Sequence, residues 1–322
     1  MTVLAVVAVG GNTLTAADET GTCEQIEANA AGMARSLGAL VRSGASLAVV
    51  HGNGPQVGNL SIQQDEALAM VPAQPLYALS AMTQGQLGSV LARAIDAQCG
   101  AGTAVAVVTH VTVDLDDPAF ARPSKPIGPF FSAERAAELA EARGWTVAED
   151  SNRGHRRVVA SPAPTGVVEL RAVRTLLEAG HVVLAAGGGG VAVSRGPGGT
   201  VDGVDAVVDK DLAAAQLAIS LGAQELYLLT GVDGVLLDFG TAQQRPAHRL
   251  GAAEARKHLA DGQFPAGSMG PKVTAALQFL EAGGARAIIT SAGMLGDAAA
   301  GVPGVGTVLL PEPTSVPVGT GA

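Results

Sequence analysis

Val3-Leu4-Ala5-Val6-Val7-Ala8-Val9-Gly10-Gly11-Asn12 opens the chain with an apolar, β-branched run that stops at paired glycines and an amide. A run that is apolar at every position, not at alternate ones, fits a strand buried on both faces, as in a parallel sheet covered by helices. The same grammar returns at 47–50, where Leu47-Ala48-Val49-Val50 runs into His51-Gly52-Asn53-Gly54-Pro55-Gln56. Between the two, residues 23–43 carry Ile26, Ala30, Met33, Leu37 and Leu40 at helical spacing, closed by Gly44. The unit is βαβ, and its crossover should be right-handed. Strand-like runs recur at 105–108, 182–185, 226–229 and 287–289, alternating with stretches rich in alanine and leucine. This pattern predicts an α/β fold, a three-layer αβα sandwich with a mostly parallel central sheet.

In such sheets ligands bind outside the carboxyl ends of the strands. Gly10, Gly11, Asn12, Gly52, Asn53 and the four glycines 187–190 all fall there. Bare N–H groups where a strand gives way to a helix suit phosphate-like anions. Three further segments bring cations: Lys125-Pro126-Ile127-Gly128, Asp209-Lys210-Asp211, and Gly267-Ser268-Met269-Gly270-Pro271-Lys272. No G-x-x-x-x-G-K-[ST] occurs, so the sequence points to a phosphoryl-transfer site built without a P-loop.

With 322 residues the chain has room for one large α/β domain or two smaller ones. Its net charge of −9, from 20 basic and 29 acidic residues, argues against nucleic acid and against anionic membranes as partners. The apolar runs are strand-sized and broken by glycine, far short of the roughly 18 to 20 residues that a membrane-spanning helix needs. The first residues lack the basic start and long apolar core of a secretory signal, and the expected location is the cytoplasm. Cys23 and Cys99, the only cysteines, read as reduced structural thiols.

Residues 114–164 break the rhythm with Asp116-Asp117-Pro118, a helical stretch over 133–143, and Arg156-Arg157 ahead of an apolar run. An excursion of that length between core elements reads as a protruding subdomain, a lid at the ligand-binding edge. The final stretch 311–322, rich in proline, glycine and threonine, reads as a frayed tail.

The segments taken together resemble the carbamate kinases of the amino acid kinase family. The likeness runs from Val3 to about Leu310 and is carried by the segments quoted above with Asp116-Asp117-Pro118-Ala119-Phe120, Arg156-Arg157-Val158-Val159-Ala160-Ser161-Pro162 and Val208-Asp209-Lys210-Asp211-Leu212-Ala213. It implies reversible phosphoryl transfer between ATP and carbamate, giving ADP and carbamoyl phosphate, with magnesium accompanying the nucleotide, and a homodimer. It implies an acceptor lobe over 1–220, a protruding subdomain over 114–164 and a nucleotide lobe over 221–310. On the residues, it implies that Lys210 and Lys272 neutralise the transferring group, that Asp211 orients their ammonium groups, and that Lys125 reaches in from the insertion. Gly10, Gly11, Asn12, Gly52 and Asn53 would cradle acceptor and phosphoryl. Gly187, Gly188, Asp211, Thr230, Val232, Met269 and Lys272 would face the nucleotide. The likeness implies no protein-held metal site. The chain departs from the family at Gly231, where aspartate is common, at Asp238, where asparagine is common, and at Asp205, which replaces a glutamate.

The chemistry fits this residue set. Carbamate is already an anionic oxygen nucleophile, so no base has to remove a proton. The obstacle is repulsion: two unit charges about 4 Å apart interact by roughly 4 kcal/mol at an effective dielectric near 20, which well-placed cations offset. Plainer readings stand beside each assignment. Glycines 187–190 also suit close packing, His51 an ordinary buried hydrogen bond, Met269 packing, Arg156 and Arg157 salt bridges within the insertion, and Asp116 and Asp117 a turn cap. Two alternatives stay open from sequence: an amino acid kinase acting on a different small acceptor, and a catalytically silent homologue that kept the fold.

Overall fold

The computed structural model describes residues 2–10, 14–16, 19–150, 154–265 and 267–312. An eight-stranded sheet forms its centre, in the order Arg249–Gly251, Thr307–Leu310, Arg286–Ser291, Glu225–Thr230, Leu4–Val9, Ser46–His51, Val182–Leu184 and Ala104–Ala106. Neighbours pair in parallel except Thr307–Leu310, which runs against Arg286–Ser291 and carries Arg249–Gly251 with it. Every expected strand of this sheet is present, and the one expected over 105–108 is shorter, spanning Ala104–Ala106.

Alternation along each strand sorts the core into two layers. Val6, Ala8, Ala48, Val50, Leu226 and Leu228 face the helices Leu170–Glu178, Lys210–Leu221 and Met269–Glu281. Ala5, Val7, Val9, Leu47, Val49 and Leu229 face Cys23–Arg42, Leu76–Cys99 and Leu295–Ala299. A strand that is apolar at every position therefore serves both layers at once, the physical reason for the unbroken run at the head of the chain. Helix Cys23–Arg42 begins with a capping box, in which Thr22 and Gln25 satisfy each other's backbone N–H groups, and ends at Arg42.

Among the described residues three smaller sheets accompany the centre, one of them the antiparallel pair Val235–Leu237 and Arg245–Ala247. Val201–Gly203, Val191–Arg195, His110–Val113 and Pro164–Val167 form a four-stranded sheet that brackets the insertion. Within the insertion, Lys125–Phe131, His155–Val159 and Val147–Glu149 form an antiparallel sheet, with helix Ala133–Arg143 packed on it. The insertion rests on helix Gly54–Ala67. Gly58 and Gly128 meet backbone to backbone there, and a methyl group on Gly58 would lie 1.9 Å from the Gly128 nitrogen. Arg157 donates to Ser61, 2.5 Å, and Arg143 pairs with Glu66 and with Asp65 on the same helix. Arg143 and Arg157 also stack on Trp145.

Among the described residues, no helix is long and apolar enough to cross a membrane. The expected tail falls on residues that, from 313 onward, lie outside the described ones.

The backbone contact between Gly58 and Gly128 has no flexible side chain that can give way. Gly58→Ala should therefore lower the unfolding free energy by about 1–3 kcal/mol in urea titration. Gly85→Ala, on the exposed side of helix Leu76–Cys99 with nothing within 4 Å of the added methyl, should instead raise it by roughly 0.5–1 kcal/mol. Equal midpoints for the two variants would contradict this account of the docking.

Candidate active site

The glycine turns all gather at the carboxyl edge of the central sheet. Gly10 follows Val9, Gly52 follows His51, and Gly187–Gly189 comes shortly after Leu184. Helix Gly54–Ala67 starts there with Asn53 as its N-cap residue but with no side chain capping it. Its amino end thus keeps the partial positive charge and the unpaired donors that attract an anion.

The run 187–190 explains why four glycines are needed. A methyl group on Gly187 would stand 2.3 Å from the His51 ring, on Gly188 2.3 Å from the Asn53 amide, and on Gly189 2.1 Å from the Val208 carbonyl oxygen. Positive φ angles of 68°, 93° and 83° at Gly188, Gly189 and Gly190 add a backbone requirement to the steric one. The glycines thus let the turn at 51–53 and the segment entering Asp209 approach each other, with Gly187 and Gly188 against His51 and Asn53.

The cations converge on one helix start. Asp209 caps helix Lys210–Leu221, its Oδ1 accepting from the N–H groups of Asp211, 2.8 Å, and Leu212, 3.4 Å. The Asp211 carboxylate, 3 % exposed, receives Lys210 Nζ at 3.0 Å, and Lys272 Nζ at 2.9 and 3.1 Å. Lys272 comes from the first turn of helix Met269–Glu281, which packs against Lys210–Leu221. Lys125, first residue of its strand, reaches across and donates to Asp209 Oδ2. Three lysines from distant parts of the chain thus meet two aspartates, leaving one positive charge in excess.

Burial and charge act against each other in this cluster. Burial raises the Asp209 carboxyl, but the ammonium groups of Lys125 and Lys210, with hydrogen bonds, outweigh it and hold the group well below the usual carboxylate range. Lys210 is pushed up, since Asp211 and Asp209 more than offset its burial. Lys272 is pulled down to about 8, because burial and the neighbouring Lys210 charge outweigh Asp211. His51 is pulled down to about 4 by burial, with its Nδ1 3.0 Å from the Gly52 oxygen, and is neutral at pH 7.

The structure distributes the remaining sequence-marked residues unevenly. Gly52 donates its N–H to the Val9 oxygen at 2.9 Å, so it shapes the turn and has no amide left for an anion, in contrast to the donor role expected of it. Asn53 gives one amide hydrogen to Thr83 Oγ1, 2.9 Å. Thr230 ends its strand half-buried, Val232 is exposed, and Met269 packs half-buried against the core. Gly11 and Asn12 lie outside the described residues. Asp117 caps the turn at Pro118–Phe120, donor Ala119, and Arg156 pairs with Asp150 inside the insertion.

One residue and one pairing at the site escaped the sequence reading. Thr83 orients Asn53 from the middle of helix Leu76–Cys99, where nothing in the sequence singles it out. Asp209 was readable as a helix cap from its place before Lys210, but its partner Lys125 was not, being 84 positions away. A cavity of 540 Å³ opens at the opposite, amino end of the strands, near Leu4, Ser46, Arg174, Glu178 and His181. No lysine lines it.

The chain is similar over most of its length to known proteins. A carbamate kinase of Pyrococcus furiosus is 42% identical over 290 residues, covering 88% of this chain and 92% of its own. The solved carbamate kinase of Giardia lamblia bound to citric acid superposes with a TM-score of 0.91 at 35% identity, covering 97% of this chain and 99% of that one. The same Giardia enzyme bound to AMP-PNP gives 0.87 at 35% identity, with the same coverage. Residues 4–291 match the model of the amino acid kinase family, and the chain belongs to that family.

Proposed function

We propose that this protein is a carbamate kinase, transferring a phosphoryl group reversibly between ATP and carbamate. The observation that carries the reading is the meeting of Lys125, Lys210 and Lys272 around Asp209 and Asp211 at the carboxyl edge of the sheet. The relatives named carbamate kinase, which share the chain almost end to end, support it.

In the forward direction a carbamate oxygen attacks the terminal phosphorus of ATP, a new O–P bond forms, and the bond to the ADP oxygen breaks. No proton changes hands, and a neutral, buried His51 is consistent with a site that has no base. Lys210 and Lys272 balance the charge spread over the migrating group, and Asp211 keeps the two ammonium groups side by side against their mutual repulsion. The uncapped amino end of helix Gly54–Ala67 and the remaining amide hydrogen of Asn53 bind the acceptor side. Lys125 adds its charge from the insertion.

Magnesium enters with the nucleotide. Among the described residues no three His, Cys, Asp or Glu side chains converge as ligands, and the carboxylates of Asp209 and Asp211 are engaged by lysines and amides. The metal would thus be held mainly by phosphate oxygens and water.

A homodimer in the cytoplasm completes the reading. Ala104–Ala106 ends the central sheet; helix Leu76–Cys99, packed on that strand, exposes Met82, and Val108 is exposed just after the strand. An open strand edge with apolar neighbours supports pairing with a second copy. Light scattering should give twice the 31.9 kDa of one chain, and a monomer at micromolar concentration would reject the dimer.

ATP formation from ADP and carbamoyl phosphate with magnesium tests the activity. Lys210→Ala and Lys272→Ala should each lower kcat by about 100-fold or more while circular dichroism stays unchanged. Near-normal turnover in either would remove that lysine from the mechanism.

The pH profile follows from Lys272. Its ammonium form, present below its pKa, is the one that stabilises the transferring group. kcat/KM should therefore fall as pH rises through about 8. Bound anionic substrate favours the charged lysine, so the matching fall in kcat should lie at higher pH. A flat profile from pH 7 to 9.5 would contradict the assignment.

A further inference from the structure

Asp209 is the one charged member of the cluster to which the reaction as described gives no task. It is 8 % exposed, and its two oxygens do different work. Oδ1 is fixed by the N–H groups of Asp211 and Leu212 at the first turn of helix Lys210–Leu221. Oδ2 receives Lys125, which belongs to the insertion and is the only one of the three lysines not tied to Asp211. One side chain therefore reports the position of the helix that carries Lys210 and Asp211 to the lysine that arrives from elsewhere in the fold.

We propose that Asp209 is a positioning residue for phosphoryl transfer, holding the Lys125 ammonium in register with Lys210 and Lys272 through the capped first turn of helix Lys210–Leu221. The inference rests on the kinase reading for its catalytic consequence, but the seat itself exists without substrate. The remaining contacts of the insertion are those with Gly58, Ser61, Asp65 and Glu66 of helix Gly54–Ala67, the packing of Ile127 and Val159 with Leu76, Leu79 and Val207, and the Val207 N–H donated to the Ala160 oxygen. They locate the subdomain, yet none reaches the Lys125 ammonium. A four-carbon stem with free rotation would leave that charge spread over several ångströms if nothing fixed its end. Asp209 fixes it where the transferring group must pass.

Two replacements separate this role from capping. Asn and Ser are both strong N-cap residues, so Asp209→Asn and Asp209→Ser keep an oxygen for the helix N–H groups while removing the charge that holds Lys125. The first readout needs no activity. Competitive reductive methylation with mass spectrometry, with the exposed Lys257 as internal reference, should show Lys125 labelled several-fold faster in both variants than in the wild type. Equal labelling overturns the proposal, whatever the enzyme catalyses.

The second readout is kinetic. Asp209→Asn should lower kcat by on the order of 10- to 100-fold with KM for carbamoyl phosphate changed less than about threefold. Combined with Lys125→Ala it should cost no more than Lys125→Ala alone, since a seat without its occupant has nothing to position. Multiplicative losses, or wild-type kcat in Asp209→Asn, overturn the proposal. So does failure of both variants to fold, which would make Asp209 a folding residue only. An inactive wild type with faster Lys125 labelling in the variants would reject the kinase reading and leave the seat standing.

Discussion

A single carboxylate lying between two buried ammonium groups is the constraint on which the rest of this structure turns. Two like charges removed from water repel strongly, and each would sooner shed its proton than share the space. Asp211 makes the sharing possible, because Lys210 and Lys272 reach the same Oδ2 atom, at 3.0 and 2.9 Å. The balance is uneven, with Lys210 held charged and Lys272 brought down to about 8. Two helices must start at the same edge of the sheet for those side chains to meet, and the packing of Lys210–Leu221 against Met269–Glu281 enforces it.

The fold supplies that edge cheaply in sequence terms. A parallel sheet points every carboxyl end the same way, so each turn from strand to helix adds its donors to one place. Close approach is what the glycines contribute. The 187–190 run brings the turn at 51–53 up against the segment that leads into Asp209, with the His51 ring and the Asn53 amide lying against Gly187 and Gly188 on one side and the Val208 backbone against Gly189 on the other, contacts that tolerate less slack than a pair of long side chains.

The central sheet was legible because its signal is local. Strand Leu4–Val9 and its neighbours are contiguous apolar runs, and the helix Cys23–Arg42 shows both its period and its stop. The four-stranded sheet was not legible. His110–Val113 and Pro164–Val167 are four residues each, polar in part, and pair across the whole insertion, so nothing near either one announces the partner. The site divides along the same line. Lys125 and Lys272 stood out by residue type beside glycines, and Lys210 and Asp211 within the charged triplet 209–211, whereas the hold of Thr83 on Asn53, the hold of Asp209 on Lys125 and the commitment of the Gly52 amide to Val9 depend on distances that only the folded chain defines.

The bare contact between Gly58 and Gly128 carries a consequence for chimeras within the family. With no side chain on either residue, the insertion and helix Gly54–Ala67 meet there backbone against backbone, and neither can adjust at that point to a foreign counterpart. A transplanted subdomain would have to travel with the helix beneath it, so the unit of exchange is a discontinuous pair of segments, although residues 114–164 look self-contained when read along the chain.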